Sequence, residues 1–195
     1  MLVVGDDTEA VEGDLVAGRL ACPACGGPLG RYGWARRRSV RTLSVERALR
    51  PRRGWCAHCE AAHVLLPAWS IPRRRDATEV IVAALVAKAG GSGHRAIAAA
   101  LGRPAATVRG WLRRAAGRAD ATRVAATVWV RALDASAGAV VPAATPLGDA
   151  LDALGLALAA AVRRLGPRGS HGVLALTAGL LAPDVARQQH GTTLR

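Results

Sequence analysis

The sequence predicts a mainly α-helical fold with one small β module ahead of the helices, on three observations. Two CxxC pairs, Cys22/Cys25 and Cys56/Cys59, stand thirty residues apart with β-favouring pieces between them. From Ser92 to Arg114 apolar residues recur at helical spacing on both sides of Gly102-Arg103-Pro104, the pattern of two short helices about a tight turn. Residues 145 to 165 then carry Leu or Ala every three or four positions. The segments that follow from this are an acidic N-terminal helix or tail (1–20), a cysteine-held β ribbon (21–67), a basic linker (68–75), a helix-turn-helix (76–119) and an Ala/Leu-rich helical extension (120–195).

Charge narrows the partners. The chain has 26 Arg, one Lys and no Phe, and its formal net charge is +13. Between Arg31 and Arg118 nineteen bases face only Glu46, Glu60, Asp76 and Glu79, a net of +15, and the remainder sums to −2. Charge concentrated in this way is the footprint of a polyanion partner. A membrane surface would also attract it, but no uninterrupted apolar run reaches the roughly 20 residues a span needs, and no basic helix with a broad Trp/Leu face stands out. The start of the chain holds Asp6, Asp7, Glu9, Glu12 and Asp14 and no basic residue followed by an apolar block, so it is not a secretory signal and a cytoplasmic location is expected. In that compartment four cysteines are metal ligands before they are disulfides.

Along the chain, residues 1–20 read as a weak acidic helix with Asp6 and Glu9 as a capping box, Gly18 as a stop, and Val11 and Leu15 as a thin apolar edge. It is expected to be a half-ordered tail on the first module, with an acidic flap over the basic surface as the alternative. Each CxxC brings two thiolates to one ion from a tight turn, and Gly26 and Gly27 clear the space for it. Two such turns make a closed Zn²⁺ site of Cys22, Cys25, Cys56 and Cys59. With β-favouring pieces at Gly30–Trp34, Val40–Val45, Arg53–Cys56 and His63–Leu66, the whole reads as a zinc ribbon. A redox dithiol would need a strand-to-helix turn in a βαβ unit, and none is visible. His58 and His63 could each replace a Cys, but beside four thiolates they read as surface or packing residues. Trp34 and Trp55, set among the ribbon's arginines, are expected to form its small core; stacking on bases is the alternative.

The connector Pro67–Pro72 leads into Arg73, Arg74 and Arg75, a minor-groove arm or a phosphate contact. Asp76 as N-cap and Glu79 start a helix through Ala89, in which Val80, Ile81, Ala84 and Leu85 share a face, the packing helix of a homeodomain-like three-helix bundle. Ser92 caps the next helix, Ile97, Ala98 and Leu101 face inward, Gly102 ends it, and Pro104 opens the last one. There Val108, Trp111, Leu112 and Ala115 bury together while Ala106, Arg109, Gly110 and Arg113 face outward, small enough and basic enough for a major groove. Arg109 and Arg113 are expected to reach bases or adjacent phosphates, Thr107 and Arg103 to anchor the backbone, with Arg114 completing the DNA-binding set.

Beyond Ala119, residues 121–137 form an apolar helix (Val124, Val128, Trp129, Leu133) and Val140–Ala144 a joint. Thr145-Pro146 opens a helix ending at Leu165, with a seam of Leu147, Leu151, Leu154, Leu158, Ala161 and Leu165, and with Asp149, Arg163 and Arg164 placed as the helix dipole prefers. Another short helix at Gly172–Leu181 and a tail follow. The seam reads as an internal core, with homodimer formation as the alternative.

CPACGG…CAHC followed by GHRAIAAALGRPAATVRGWLRR resembles the N-terminal DNA-binding half of bacterial insertion-sequence transposases, and more closely a family of small helix-turn-helix proteins of unknown function that carry the same ribbon. The resemblance spans Ala21 to about Arg118. It implies zinc at the four cysteines and binding of element ends or operators through Thr107, Arg109 and Arg113. Such transposases continue into a ribonuclease-H-like domain with three metal-holding carboxylates. Here the later acids, Asp120, Asp134, Asp149, Asp152 and Asp184, fall on helices or their ends with no strand framework. The expected function is a non-enzymatic, sequence-specific duplex-DNA-binding protein, a regulator or transposition accessory factor. A subunit or truncated form of an insertion-sequence transposase is the alternative, and an RNA-binding protein a third.

Overall fold

The computed structural model describes residues 1–137 and 141–169. They fall into two compact units, one of residues 1–77 and one beginning at Thr78.

The first unit runs β1 (Leu2–Val4), α1 (Thr8–Val16), β2 (Leu29–Trp34), β3 (Arg38–Arg41), β4 (Glu46–Leu49), β5 (Arg52–Cys56) and β6 (Ala61–Pro67). Four strands make a mixed sheet in the order β1-β6-β5-β2, and β3 and β4 pair as a separate two-stranded sheet. β1 lies parallel to β6 with Leu2 opposite Leu65, while β5 runs antiparallel to β6 and β2, with Leu29 opposite Cys56. Because side chains alternate along a strand, this register puts Leu29, Cys56 and Leu65 on one face. Val11 and Leu15 of α1 join them and Val4 and Cys22 in a single buried cluster. The helix comes close because Gly54 has no side chain; a Cβ there would lie 3.4 Å from Leu15.

The expected fold class is thereby corrected. The chain is not mainly α with a small β ribbon attached, because its N-terminal side is an α/β unit with a mixed four-stranded sheet and a second sheet. Residues 1–20, expected as a weak acidic helix or half-ordered tail, do form a helix, and they supply both an edge strand and the covering helix of the unit. The cap of α1 is Asp7, whose carboxylate accepts from the N–H groups of Glu9 and Ala10 at 3.0 and 3.1 Å, one residue after the expected Asp6; Gly18, at φ 64, follows its end. The stretch 68–77 is stitched to β3. Arg38 Nη2 donates to Ser70 Oγ at 2.6 Å, the Arg41 N–H to the Arg75 carbonyl at 2.6 Å, and Arg41 pairs with the buried Asp76 at 2.7 Å.

The second unit contains α2 (Thr78–Ala89), α3 (His94–Leu101), α4 (Ala105–Ala116), α5 (Ala119–Leu133) and α6 (Pro146–Gly169). Val80, Ile81, Ala84 and Leu85 of α2, Ile97 and Ala98 of α3, and Val108, Trp111, Leu112 and Ala115 of α4 are buried, the faces their spacing predicts. The expected three-helix bundle with an extension is also corrected, since α6 packs along α5 and touches both α2 and α4, making one five-helix unit. The seam of α6 is alanine rather than leucine. Ala150, Ala153, Ala157, Ala160 and Ala161 are buried with Leu147 and Leu154, facing a helix that buries Ala119, Thr122, Ala126 and Val130, while Leu165 is 48% exposed. Small side chains let the helix axes approach, while Leu151 and Leu158 are left half-buried and Leu156 exposed. Gly166, at φ 72 and ψ 174, breaks α6 where its end was expected. Among the described residues no helix is long and apolar enough to cross a membrane. Val140, the helix expected at Gly172–Leu181, the tail and Asp184 lie outside the described residues.

Candidate metal centre and basic surfaces

The first cysteine pair sits in the turn before β2, and the second spans the end of β5 and the turn into β6. The turns are built alike: the residue after the second cysteine is left-handed in both, Gly26 at φ 76 and Glu60 at φ 52. In the first, the Gly26 N–H donates to the Cys22 carbonyl at 2.8 Å and the Cys22 N–H to the Gly27 carbonyl at 2.7 Å, folding the loop around the sulfurs. Gly27 keeps this contact close, since a Cβ there would stand 3.1 Å from His58 Cβ and 3.3 Å from Cys56 Sγ, so that a neighbour would have to give by a few tenths of an ångström. Cys22 Sγ is 3.6 Å from Cys59 Sγ, Cys25 Sγ 3.4 Å from Cys56 Sγ, and all four sulfurs lie within 4.8 Å of one another. A tetrahedron with metal–sulfur bonds of about 2.3 Å has edges of about 3.8 Å. The four cysteines, a pure thiolate donor set at that spacing, can hold a metal ion.

Thiols packed this closely share protons. The backbone N–H of Cys59, helped by Cys25 and the N–H of His58, pulls the Cys56 thiol down to about 7. The hydrogen bond with Cys25, then burial and Cys22, push Cys59 up to about 12. At Cys25 the Gly27 N–H pulls down, but the hydrogen bond with Cys56 and burial outweigh it and the thiol is raised. One ready thiolate beside held protons is a site that a cation completes by displacing protons.

His63 was expected as a surface or packing residue, and it is packed against the cysteines. It is buried on β6 with Nε2 3.3 Å from Cys22 Sγ, while His58 is exposed. Burial, then the nearby N-terminal charge, lowers the His63 pKa, so the ring is neutral and can donate one N–H to the sulfur, as groups that orient metal ligands do. The signal was available: four residues after Cys59, an alternating strand turns His63 to the cysteine side.

On α4, Arg109 and Arg113 are exposed opposite the buried Val108, Trp111, Leu112 and Ala115, with Ala105 and Ala106 also exposed and Thr107 and Arg114 half-buried. Gly102 takes the left-handed conformation, φ 60 and ψ 40, that lets the chain turn from α3 into α4, and Pro104, expected as the first helical residue, is the N-cap instead, with the helix starting at Ala105. Arg103 Nη1 donates to the Leu101 and Gly102 carbonyls at 3.0 and 3.3 Å, closing that turn. No Asp or Glu occurs between Val80 and Ala119. Arg73, Arg74 and Arg75 belong to the first unit. Arg73 is exposed at φ 58, the Arg74 N–H donates to the Ile71 carbonyl at 3.2 Å, and Arg75 lies 3.8 Å from Glu46.

The aromatic residues of the first unit are not its core. Trp34 is 43% and Tyr32 46% exposed, and Trp55 is half-buried against Tyr32 with ring centroids 5.1 Å apart. Guanidinium groups cover them: Arg53 over Tyr32 at 4.6 Å, Arg52 over Trp34 at 4.9 Å and Arg47 over Trp69 at 4.4 Å. Of the later acids, Asp134 pairs with Arg163 at 3.2 Å and Asp149 accepts from the Ala143 N–H. Among the described residues only the cysteines form a group of three or more metal-capable side chains.

Residues 22–111 match a family described as a domain of unknown function (DUF6431). The match runs from the first cysteine of the metal centre to Trp111 on α4. No curated protein and no solved structure matches the chain.

Proposed function

We propose that this is a non-enzymatic, sequence-specific duplex-DNA-binding protein whose four cysteines hold a structural Zn²⁺ and whose α3–turn–α4 helix-turn-helix puts α4 into the major groove. One observation carries it: α4 is locked by one face while the opposite face, bearing Arg109 and Arg113, is open and lies in an acid-free stretch. Guanidinium groups there suit the O6 and N7 of guanine, and Ala105 and Ala106 keep the helix slim enough to enter. Arg103 acts first on the turn, setting the angle of α4, and Thr107 and Arg114 stand beside the backbone track. Arg73 to Arg75 add phosphate contacts. Zinc suits a set of four thiolates with no open position, which makes the centre structural. A regulator or a transposition accessory factor fits this chemistry, in the cytoplasm and with two copies joined through the outward Val124, Val128, Leu156 and Val162.

Selection of bound fragments from random duplexes, followed by titration against salt, tests it. Neutralising about six phosphates gives a slope near −5 in log K against log salt. Arg109→Ala should relax preference at one base pair, whereas Arg74→Ala should weaken all sequences alike. A flat salt response, or no selected sequence, would sink the proposal.

A further inference from the structure

The first unit carries a cleft of its own. The N-terminal end of α1, the β4–β5 turn and Trp69 enclose a cleft of about 250 Å³. Trp34 and Trp69 line it, with Arg47 lying over the Trp69 ring at 4.4 Å and Arg52 and Arg50 over the Trp34 ring at 4.9 and 5.9 Å. The chain has only six aromatic residues, five Trp and one Tyr, and it leaves an indole 43% exposed here rather than burying it. The cleft is also bipolar. Arg52 is held in place by Glu12 and the Gly33 carbonyl, which neutralises it. Arg47 and Arg50 have no carboxylate partner among the described residues and supply net positive charge to the lining. Asp6, exposed in the same lining, supplies an acceptor.

We propose that this cleft binds one unpaired nucleotide, with the base against Trp34 and Trp69, the phosphate on Arg47 and Arg50, and an exocyclic amino group donating to Asp6. Indole rings beside guanidinium groups that no carboxylate neutralises are what single-stranded nucleic acid recognition needs, because any base can stack and every phosphate is anionic. The volume is below the roughly 300–1,000 Å³ of drug-sized pockets, so it takes one nucleotide and not a longer ligand. A carboxylate acceptor favours adenine, cytosine and guanine over thymine, which lacks an amino group. The site is independent of the duplex reading of α4, and each can fail alone.

The metal-loaded full chain is titrated with the single-stranded hexamers dC6 and dT6, with CMP, and with a cytidine hexaribonucleotide, reading tryptophan quenching and anisotropy. Binding of dC6 ahead of dT6 is expected. Trp34→Leu and Trp69→Leu should each lower dC6 affinity about tenfold, and Asp6→Asn should abolish the dC6 preference. Arg109→Ala should leave dC6 binding intact while changing duplex selection, and Trp34→Leu should do the reverse. Retained metal content shows that a variant is folded. CMP binding as tightly as one residue of dC6 identifies a free nucleotide as the ligand, and dC6 alone identifies a strand. Unchanged dC6 affinity in both tryptophan variants overturns the site, and preference for the ribonucleotide over dC6 identifies RNA as the strand.

Discussion

Stripping the metal should unfold the first unit and spare the second. The buried cluster of the first unit contains Val4, Val11, Leu15, Leu29 and Leu65, and its other members are two of the metal ligands, Cys22 and Cys56. At about 1.5–3 kcal/mol per buried aliphatic side chain, those five contribute on the order of 10 kcal/mol. A structural zinc site contributes about 10–16 kcal/mol of apparent binding energy. Removing a term as large as the aliphatic core from a domain stable by roughly 5–15 kcal/mol leaves nothing to hold the sheet. The helices report little of this, because α1 supplies 9 of the 80 residues in the six helices. The far-ultraviolet helical signal should therefore fall by about a tenth. Trypsin should report it strongly, since residues 1–77 hold thirteen arginines. Limited proteolysis with and without a strong chelator, followed by circular dichroism, is the assay. A first unit equally resistant in chelator, or a helical signal that collapses with the metal, would refute the reasoning.

Metal affinity should rise with pH. Cys25 and Cys59 are both raised, Cys59 to about 12, so between pH 7 and 9 loading displaces at least their two protons and apparent affinity gains about two decades per pH unit; below pH 7, where Cys56 is also protonated, the slope steepens. Competition with a chromophoric chelator measures it, and a flat profile contradicts the proton-sharing cluster. Glu60→Gly should stabilise the metal-loaded protein by about 0.5 kcal/mol, because relief of a left-handed non-glycine residue, about 1–2 kcal/mol, exceeds the entropy that glycine adds to the unfolded chain, about 0.5–1 kcal/mol. A lower melting midpoint would count against strain at that turn. Gly27→Ala drives a methyl toward His58 and Cys56 Sγ and should weaken metal retention, seen as faster release to the same chelator.

What could be read in the sequence is what is local. The two cysteine turns were legible because a CxxC brings both sulfurs round within one turn, and α3 and α4 because Gly102 and the three-and-four spacing of Val108, Trp111, Leu112 and Ala115 act over a dozen residues. The β1–β6 pairing was not legible. A three-residue strand carries no periodicity, and its partner Leu65 stands more than sixty positions from Leu2. The α5–α6 seam misled for a different reason. Leucine attracts the eye as core, but a run of alanines permits a closer helix approach, and the buried stripe therefore rotates onto Ala150, Ala153, Ala157 and Ala160.

The misplaced aromatic residues follow from the misread N-terminus. Without α1 the inner face of the sheet would lie open, and Trp34 and Trp55 would be the large groups at hand to cover it. With α1 in place, Val11 and Leu15 close that face over Leu29 and Gly54, and Glu12 reaches across to Arg31 and Arg52. The indoles are then free for the outside, where arginines rather than aliphatic side chains meet them. A short acidic helix thus decides both where the core lies and which surface is left basic and aromatic. Removing residues 1–20 should cost the first unit its fold, not merely unmask its charge, because the same segment that shields Arg31 and Arg52 also supplies half of the apolar layer beneath them.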